Sequence, residues 1–243
     1  MADFTPFSVE GYCVLCEQAT VFTAHGSWLR DFFVCNTCGS VPRERALFTV
    51  LEMHYPGWRD LSIHESSPSP RGASAKLQRE CPRYIATQYR SDAPLGVFCD
   101  GFRNEDLERQ TFPSESFDLA VTQDVFEHIF HPDRAIAEIA RTLKPGGAHI
   151  CTVPIVRKSL PSARRAAMVD GQIVHYQTPE YHGNPIDDSG VLVTVDWGYD
   201  IAAYLSKASG LVTSLHHIDD LSRGIRAEFL DVVVSSKLPV PDI

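Results

Sequence analysis

The chain has 243 residues, of which 44% are hydrophobic and 22% charged, values close to those of ordinary globular domains. This composition excludes a disordered or fibrous class, and the length allows one α/β domain with a small accessory module. A formal net charge of −9 disfavours a nucleic-acid partner, because a polyanion would be repelled unless basic residues cluster locally. No apolar run approaches the roughly 20 residues that cross a bilayer, and residues 1–12 lack a basic and apolar leader. We therefore expect a cytoplasmic protein without membrane contact.

Two Cys-x-x-Cys pairs lie near the N-terminus, Cys13 with Cys16 and Cys35 with Cys38. Each pair offers two thiolates from one tight turn, and four thiolates complete the tetrahedral set of a structural zinc ion. In a chain without a signal peptide this pattern favours metal over disulfides. Reduced core cysteines are the alternative, but burial alone does not demand paired spacing. The pattern predicts a zinc ribbon over residues 1–42.

The remaining residues, 43–243, show alternating helix and strand patterns, which predict a parallel sheet covered by helices, with an antiparallel last strand. The predicted helices cover residues 43–55, 73–80, 132–143 and 200–209. The predicted strands cover residues 60–64, 84–87, 117–122, 149–155, 211–218 and 228–235. Residues 157–196 interrupt the alternation and are rich in polar and aromatic side chains, so we predict a lid or substrate insertion there.

Two motifs resemble the signature of class I S-adenosylmethionine-dependent methyltransferases of type 11. They are the sequence FDLAVTQDVFEHI at residues 117–129 and the sequence LKPGG at residues 143–147. The resemblance covers residues 60–155 and extends to a subgroup that carries an N-terminal zinc ribbon. It implies an α/β, Rossmann-like sheet of seven mostly parallel strands. It also implies S-adenosylmethionine as methyl donor and S-adenosylhomocysteine as product.

The resemblance places the donor at the carboxyl ends of the strands, where open α/β sheets bind ligands. The loop after the first strand keeps a single glycine, Gly72, where the family has several, although serine hydroxyls and a helix start could hold the donor carboxylate. In the family that the chain resembles, an acidic residue six positions before a Phe-Pro pair contacts the adenine, which implies Asp106 here; a solvated turn is the alternative. The predicted donor-binding residues are His64, Glu65, Ser66, Ser67, Gly72, Gln88, Tyr89, Glu105, Asp106, Leu107, Gln123, Asp124, Val125 and His128.

Methyl transfer mainly requires positioning of the acceptor and, where needed, removal of its proton. The candidate catalytic residues are His128, which follows a buried strand, and His175 and His182 in the insertion. The alternative is that such residues merely tie a long loop to the surface.

Three functions are open at this stage. The first is methylation of oxygen or nitrogen in a small or medium polar metabolite, with a sugar or glycan intermediate as one candidate. The second is methylation of a ribosomal RNA base, because a guanine methyltransferase family also joins a four-cysteine module to this fold. Residues 1–45 oppose it, since they hold three arginines against five acidic residues. The third, suggested by the glycine-poor loop, is a degenerate, non-catalytic binding or scaffold protein.

Overall fold

A computed structural model describes residues 4–183 and 190–240 of the chain. The helices are α1 Leu29–Phe32, α2 Pro42–His54, α3 Gly72–Glu80, α4 Pro132–Thr142 and α5 Ile201–Ser209. The strands are β1 Phe7–Cys13, β2 Gln18–Ala24, β3 Phe33–Cys35, β4 Ile63–Ser66, β5 Tyr84–Gln88, β6 Phe98–Cys99, β7 Phe102–Asn104, β8 Phe117–Gln123, β9 Leu143–Thr152, β10 Ala163–Arg164, β11 Ala166–Val169, β12 Gln172–His175, β13 Tyr181–His182, β14 Val191–Leu192, β15 Val195–Asp196, β16 Val212–His216 and β17 Val232–Ser236. Each predicted helix is present within one residue at either end. None of the described helices could span a membrane, since the longest, α2, has only 13 residues.

The main sheet has the strand order β16-β17-β9-β8-β4-β5-β7-β6. The five central strands from β9 to β7 pair in parallel, whereas β17 runs antiparallel to β9 and β16. This confirms the predicted class I arrangement, with one additional two-residue strand, β6, at the edge. Parallel pairing brings the carboxyl ends of β4, β5, β7 and β8 to one edge of the sheet. That edge carries most of the predicted donor-binding residues.

The N-terminal residues form a separate antiparallel sheet in the order β1-β2-β3. This small sheet does not have a core of its own. Its buried Phe22 and Phe33 belong to the same apolar cluster as Leu47 of α2, Ile63 of β4 and Val234 of β17. The ribbon therefore packs as part of the main core, and its unfolding would expose apolar surface of the large sheet.

The Lys-Pro-Gly-Gly sequence at residues 144–147 forms a bulge near the start of strand β9. Strand β9 already begins at Leu143, and its pairing with β8 is irregular where these four residues bulge out. Gly146 has a positive φ of 80°, and a Cβ on Gly147 would lie 2.6 Å from the carbonyl oxygen of Asp118. Both glycines are thus required by the backbone of the bulge.

The insertion over residues 157–196 consists of short antiparallel pairs, β10 with β15, β11 with β12 and β13 with β14. It is anchored on the segment that follows β8. The amide of Thr194 donates to the carbonyl oxygen of Glu127 at 2.7 Å, and the Thr194 hydroxyl donates to that of Ile129 at 2.7 Å. This segment therefore lies beside the carboxyl edge of the sheet, and its residues 184–189 lie outside the described part.

Candidate active site and metal centre

The four cysteines of the ribbon converge on one point. Sγ of Cys13 lies 3.7 Å from Sγ of Cys38, and Sγ of Cys16 lies 3.8 Å from Sγ of Cys35. Each distance joins one Cys-x-x-Cys turn to the other. A tetrahedral zinc ion with Zn–S bonds of about 2.3 Å would place its sulfurs about 3.8 Å apart. The spacing of the thiols therefore fits zinc.

Arginines that belong to or follow the ribbon bind Asp124, which lies just beyond β8. The Arg30 guanidinium donates to both carboxylate oxygens of Asp124 at 2.8 Å, and Nε of Arg43 lies 3.2 Å from Oδ2. The Thr152 hydroxyl donates to Oδ1 at 3.1 Å. The predicted contact between Asp124 and the donor is therefore corrected. Its carboxylate joins the ribbon to the sheet edge.

Glu65, at the end of β4, is the centre of a buried hydrogen-bond network. Its Oε1 accepts from the Ser74 hydroxyl at 2.7 Å and from Nε2 of Gln123 at 2.8 Å, and its Oε2 accepts from the Tyr84 hydroxyl at 2.7 Å. Burial raises the pKa of Glu65, and these three donors oppose that rise. Glu65 has no exposed surface. The predicted direct contact of Glu65 with the donor is corrected, because its carboxylate instead joins β4 to α3 and β8.

Other side chains pack closely against His64 and Gly72. His64 is buried, with Nε2 2.9 Å from the Thr87 hydroxyl and its ring against those of Phe112 and Phe117, which also contact each other. Burial and the charge of Arg103 lower the pKa of His64 to about 3, so it stays neutral. Gly72 has a φ of +60°, and a Cβ there would overlap the carboxylate of Glu44 in α2. The predicted donor contact of the buried His64 side chain is corrected, whereas that of Gly72 stays a prediction.

Two further predicted contacts, Glu105 and Leu107, have buried side chains. Glu105 accepts from the amide of Thr111 at 2.8 Å and pairs with Arg103 at 2.7 Å. Leu107 packs in a second apolar cluster of the core, which includes Ile136 of α4 and Trp197. Only their backbone groups remain for a ligand. Asp106 between them is half-buried, and its Oδ1 accepts from the amide of Glu108 at 2.9 Å. Its Oδ2 has no hydrogen-bond partner among the described residues.

The edge formed by β5 and β7 keeps polar groups that are free to bind a ligand. Gln88 is level with Asn104 in the register of β5 and β7, so Gln88 and Tyr89 lie beside the segment that contains Asp106. Their side chains form no hydrogen bonds within the described ranges. Burial and the charges of Asp106 and Glu108 raise the pKa of Tyr89, which keeps its hydroxyl protonated. A free amide, phenol and carboxylate match the hydroxyl and amine groups of a nucleoside, so these residues fit the donor.

The remaining predicted contacts occupy the ends of β4 and β8. Ser66 ends β4, and Ser67 follows it with a φ of +57°. Gln123 uses its amide nitrogen on Glu65 and Ser74, which leaves its carbonyl oxygen. Val125 is half-buried against the second apolar cluster. These positions stay predictions for the donor site.

Two of the three predicted catalytic histidines meet after β8. The rings of His128 and His182 are 5.1 Å apart and perpendicular, and Nδ1 of His128 is 3.0 Å from the carbonyl oxygen of Leu192. His175 lies apart from this pair in the exposed strand β12, so its predicted role is not supported. Glu127, which the sequence reasoning did not select, is buried beside the two histidines. Its position next to His128 in the motif was the available signal.

A family model described as a methyltransferase domain matches residues 82–151. The fold is shared with 1,6-didemethyltoxoflavin-N1-methyltransferase of Burkholderia thailandensis, whose crystal structure contains 1,6-didemethyltoxoflavin and S-adenosylhomocysteine. That similarity has a TM-score of 0.53 at 13% identity and covers 81% of this chain and 78% of the other. Residues 82–151 are thus similar to a methyltransferase domain, and the chain shares the fold of a methyltransferase of known structure.

Two curated relatives of the methyltransferase domain are ubiquinone/menaquinone biosynthesis C-methyltransferases UbiE. The protein of Hydrogenovibrio crunogenus is 27% identical over 123 residues, which are 45% of this chain and 48% of the relative. The protein of Pseudomonas putida is 26% identical over 125 residues, which are 46% of this chain and 49% of the relative. The chain thus spans about half the length of the curated relatives it matches.

Proposed function

We propose that this chain is an S-adenosylmethionine-dependent methyltransferase whose donor binds along the carboxyl ends of β4, β5 and β7. The observation that carries the proposal is a group of polar side chains at one edge of the sheet: Gln88 and Tyr89, which form no hydrogen bonds within the described ranges, and Asp106, whose Oδ2 has no partner there. Gln88 and Tyr89 would bind the ribose hydroxyls, and Asp106 would accept a hydrogen bond from the adenine amine. Ser66 and Ser67 would lie against the methionine part. The donor supplies a methyl group on a sulfonium centre.

The acceptor is proposed to bind against His128 and His182, next to the insertion. Imidazole and carboxylate groups suit a hydroxyl or amine, so a small or medium polar metabolite is the acceptor class, with a sugar or glycan intermediate as one candidate. The names of the curated relatives make a carbon atom of a quinone precursor the second candidate. The family match ends at residue 151, before the insertion that would bind the acceptor. The relatives therefore support the donor more strongly than the acceptor.

Ribosomal RNA is disfavoured as acceptor because the N-terminal arginines are paired or buried. Arg30 and Arg43 are paired with Asp124. Arg45 is buried and donates to the carbonyl oxygens of Phe33 and Gly224. None of the three offers the exposed positive charge that phosphate contacts need.

The four-cysteine cluster is proposed to hold one structural zinc ion. Four thiolates leave no open position for substrate, so this metal would stabilise the ribbon and take no part in methyl transfer.

The proposal is tested by calorimetric titration of the zinc-loaded protein with S-adenosylmethionine and S-adenosylhomocysteine. We expect micromolar binding of both, and Asp106→Ala should weaken it by at least about tenfold, or about 1.4 kcal/mol. The matched control is Asp60→Ala, because Asp60 is exposed and precedes β4, at the opposite edge of the sheet. This variant should bind like the wild type. If neither compound binds, the non-catalytic scaffold would be favoured.

A further inference from the structure

Three potential metal ligands converge beside the proposed acceptor site. Oε1 of Glu127 lies 3.7 Å from Nε2 of His128 and 3.9 Å from Nδ1 of His182. All three donor atoms lie within 4.8 Å of one another. Two of these residues follow β8 directly, and the third comes from β13 of the insertion. Folding therefore unites donors that are far apart in sequence.

Within residues 4–183 and 190–240, the Glu127 carboxylate has no hydrogen-bond donor. The side chain is 2% exposed, and neither oxygen accepts a hydrogen bond from any described residue. The neighbouring cations, Arg30 and Arg43, are committed to Asp124. An unpaired buried carboxylate is costly unless a cation or proton joins it. Glu127 thus points to a missing positive partner.

The contacts of the two histidines favour tautomers in which the ring nitrogens near Glu127 are unprotonated. A carbonyl oxygen only accepts, so the contact with Leu192 puts the proton of His128 on Nδ1 and leaves Nε2 unprotonated. On His182, Nε2 lies 3.6 Å from the Glu180 carboxylate, which favours a proton there and leaves Nδ1 free. A second ring nitrogen held by a carbonyl or carboxylate is typical of metal-binding histidines. Two lone pairs and a carboxylate therefore face one point.

We propose that Glu127, His128 and His182 bind one divalent transition-metal ion, separate from the zinc of the ribbon. Metal–ligand bonds of about 2.1 Å would bring neighbouring donor atoms to about 3.0–3.4 Å, so each measured pair closes by less than about 1 Å. Two histidines and one carboxylate leave coordination positions open. This proposal rests on the methyltransferase function proposed above. Oxygen atoms of the acceptor would then fill the open coordination positions, which favours an acceptor with neighbouring hydroxyl groups. The histidines then act as ligands.

Manganese is a suitable probe, because Mn²⁺ prefers oxygen and nitrogen ligands and competes poorly for the thiolates of the ribbon. Zinc-loaded, full-length protein is titrated with MnCl₂, and free Mn²⁺ is followed by electron paramagnetic resonance. We expect one bound Mn²⁺ per chain. Glu127→Gln and His182→Ala should each weaken binding by at least about tenfold. Retained zinc and an unchanged circular dichroism spectrum show that each variant is folded, and His182→Gln replaces His182→Ala if the latter is not.

The matched control is His216→Ala, which removes one member of another close histidine pair, the one with His54. It should bind Mn²⁺ like the wild type. No binding by the wild type, or equal binding by the folded Glu127 and His182 variants, would overturn the metal site. A separate titration with S-adenosylhomocysteine distinguishes the two proposals, since donor binding without Mn²⁺ binding refutes only the metal site. Mn²⁺ binding without donor binding refutes the methyltransferase proposal and leaves a metal site.

Discussion

Replacing Arg30 with alanine should destabilise the whole protein, because Arg30 joins the ribbon to the edge of the main sheet. Its guanidinium binds both oxygens of Asp124, and its Nε donates to the carbonyl oxygen of Phe229 at 3.3 Å. The Arg30 side chain is 9% exposed and that of Asp124 is 21% exposed, so solvent screens the pair weakly. Removal of Arg30 leaves a largely buried carboxylate with fewer donors.

The size of the effect follows from what remains around Asp124. Removing one partner of a buried ion pair typically costs about 3–5 kcal/mol. Arg43 at 3.2 Å and Thr152 at 3.1 Å still bind the carboxylate in the variant. We therefore expect a loss below that range, about 2–3 kcal/mol in the free energy of unfolding.

The effect should depend on pH in a defined direction. Burial opposes ionisation of Asp124, but the charges of Arg30 and Arg43 prevail and lower its pKa. A carboxyl whose pKa is lowered on folding stabilises the protein above its unfolded value of about 3.9, and this stabilisation is lost as the pH falls through the folded value. The difference between wild type and Arg30→Ala should therefore be full at pH 7 and shrink in acid.

The assay is urea unfolding of wild type, Arg30→Ala, Asp124→Ala and the double variant, which together give the coupling energy of the pair. The matched control is Arg226→Ala, which removes an exposed arginine that pairs with Asp219 and should change stability little. Purely additive effects of the two single changes, or an Arg30 variant as stable as the control, would show that the pair of Arg30 and Asp124 does not stabilise the protein.

Three further predictions concern the ribbon and the buried network. Chelation of zinc, or Cys16→Ser, should lower the stability of the whole chain in one cooperative transition by calorimetry, because ribbon and sheet share a core; two separate transitions would contradict this. Gly72→Ala should lose about 1–3 kcal/mol in urea unfolding, through its positive φ and the overlap with Glu44; wild-type stability would show that α2 does not constrain the loop. Glu65→Leu should lose more than about 3 kcal/mol by leaving three donors unpaired, whereas Glu65→Gln should lose about 1 kcal/mol; equal losses would mean that the network is not the cause.

Local patterns in the sequence were sufficient to predict the helices, the type of sheet and the grouping of the four cysteines. Each of these depends on neighbouring residues, such as the apolar face of α4 or the two Cys-x-x-Cys turns. The donor-site prediction was less accurate because side chains at the strand ends form ion pairs and hydrogen bonds with residues that are far away in the sequence. Asp124 pairs with Arg30, 94 residues earlier. The Glu44 carboxylate occupies the space that a side chain at position 72 would need. A single sequence does not reveal such contacts.

The same limitation explains why Glu127 was missed. The sequence places it next to His128, but its buried position and missing hydrogen bonds become visible only when the insertion folds back with His182. The role of an acidic residue in a motif depends on which groups surround it. Those groups come from a segment that follows no regular pattern.

A crystal structure of the zinc-loaded protein with S-adenosylhomocysteine would locate the donor site directly. We expect the adenine next to Asp106, the ribose hydroxyls within hydrogen-bond distance of Gln88 or Tyr89, and the sulfur facing His128. A ligand bound elsewhere on the protein, or a carboxyl edge that stays empty at saturating concentration, would rule out the proposed donor site.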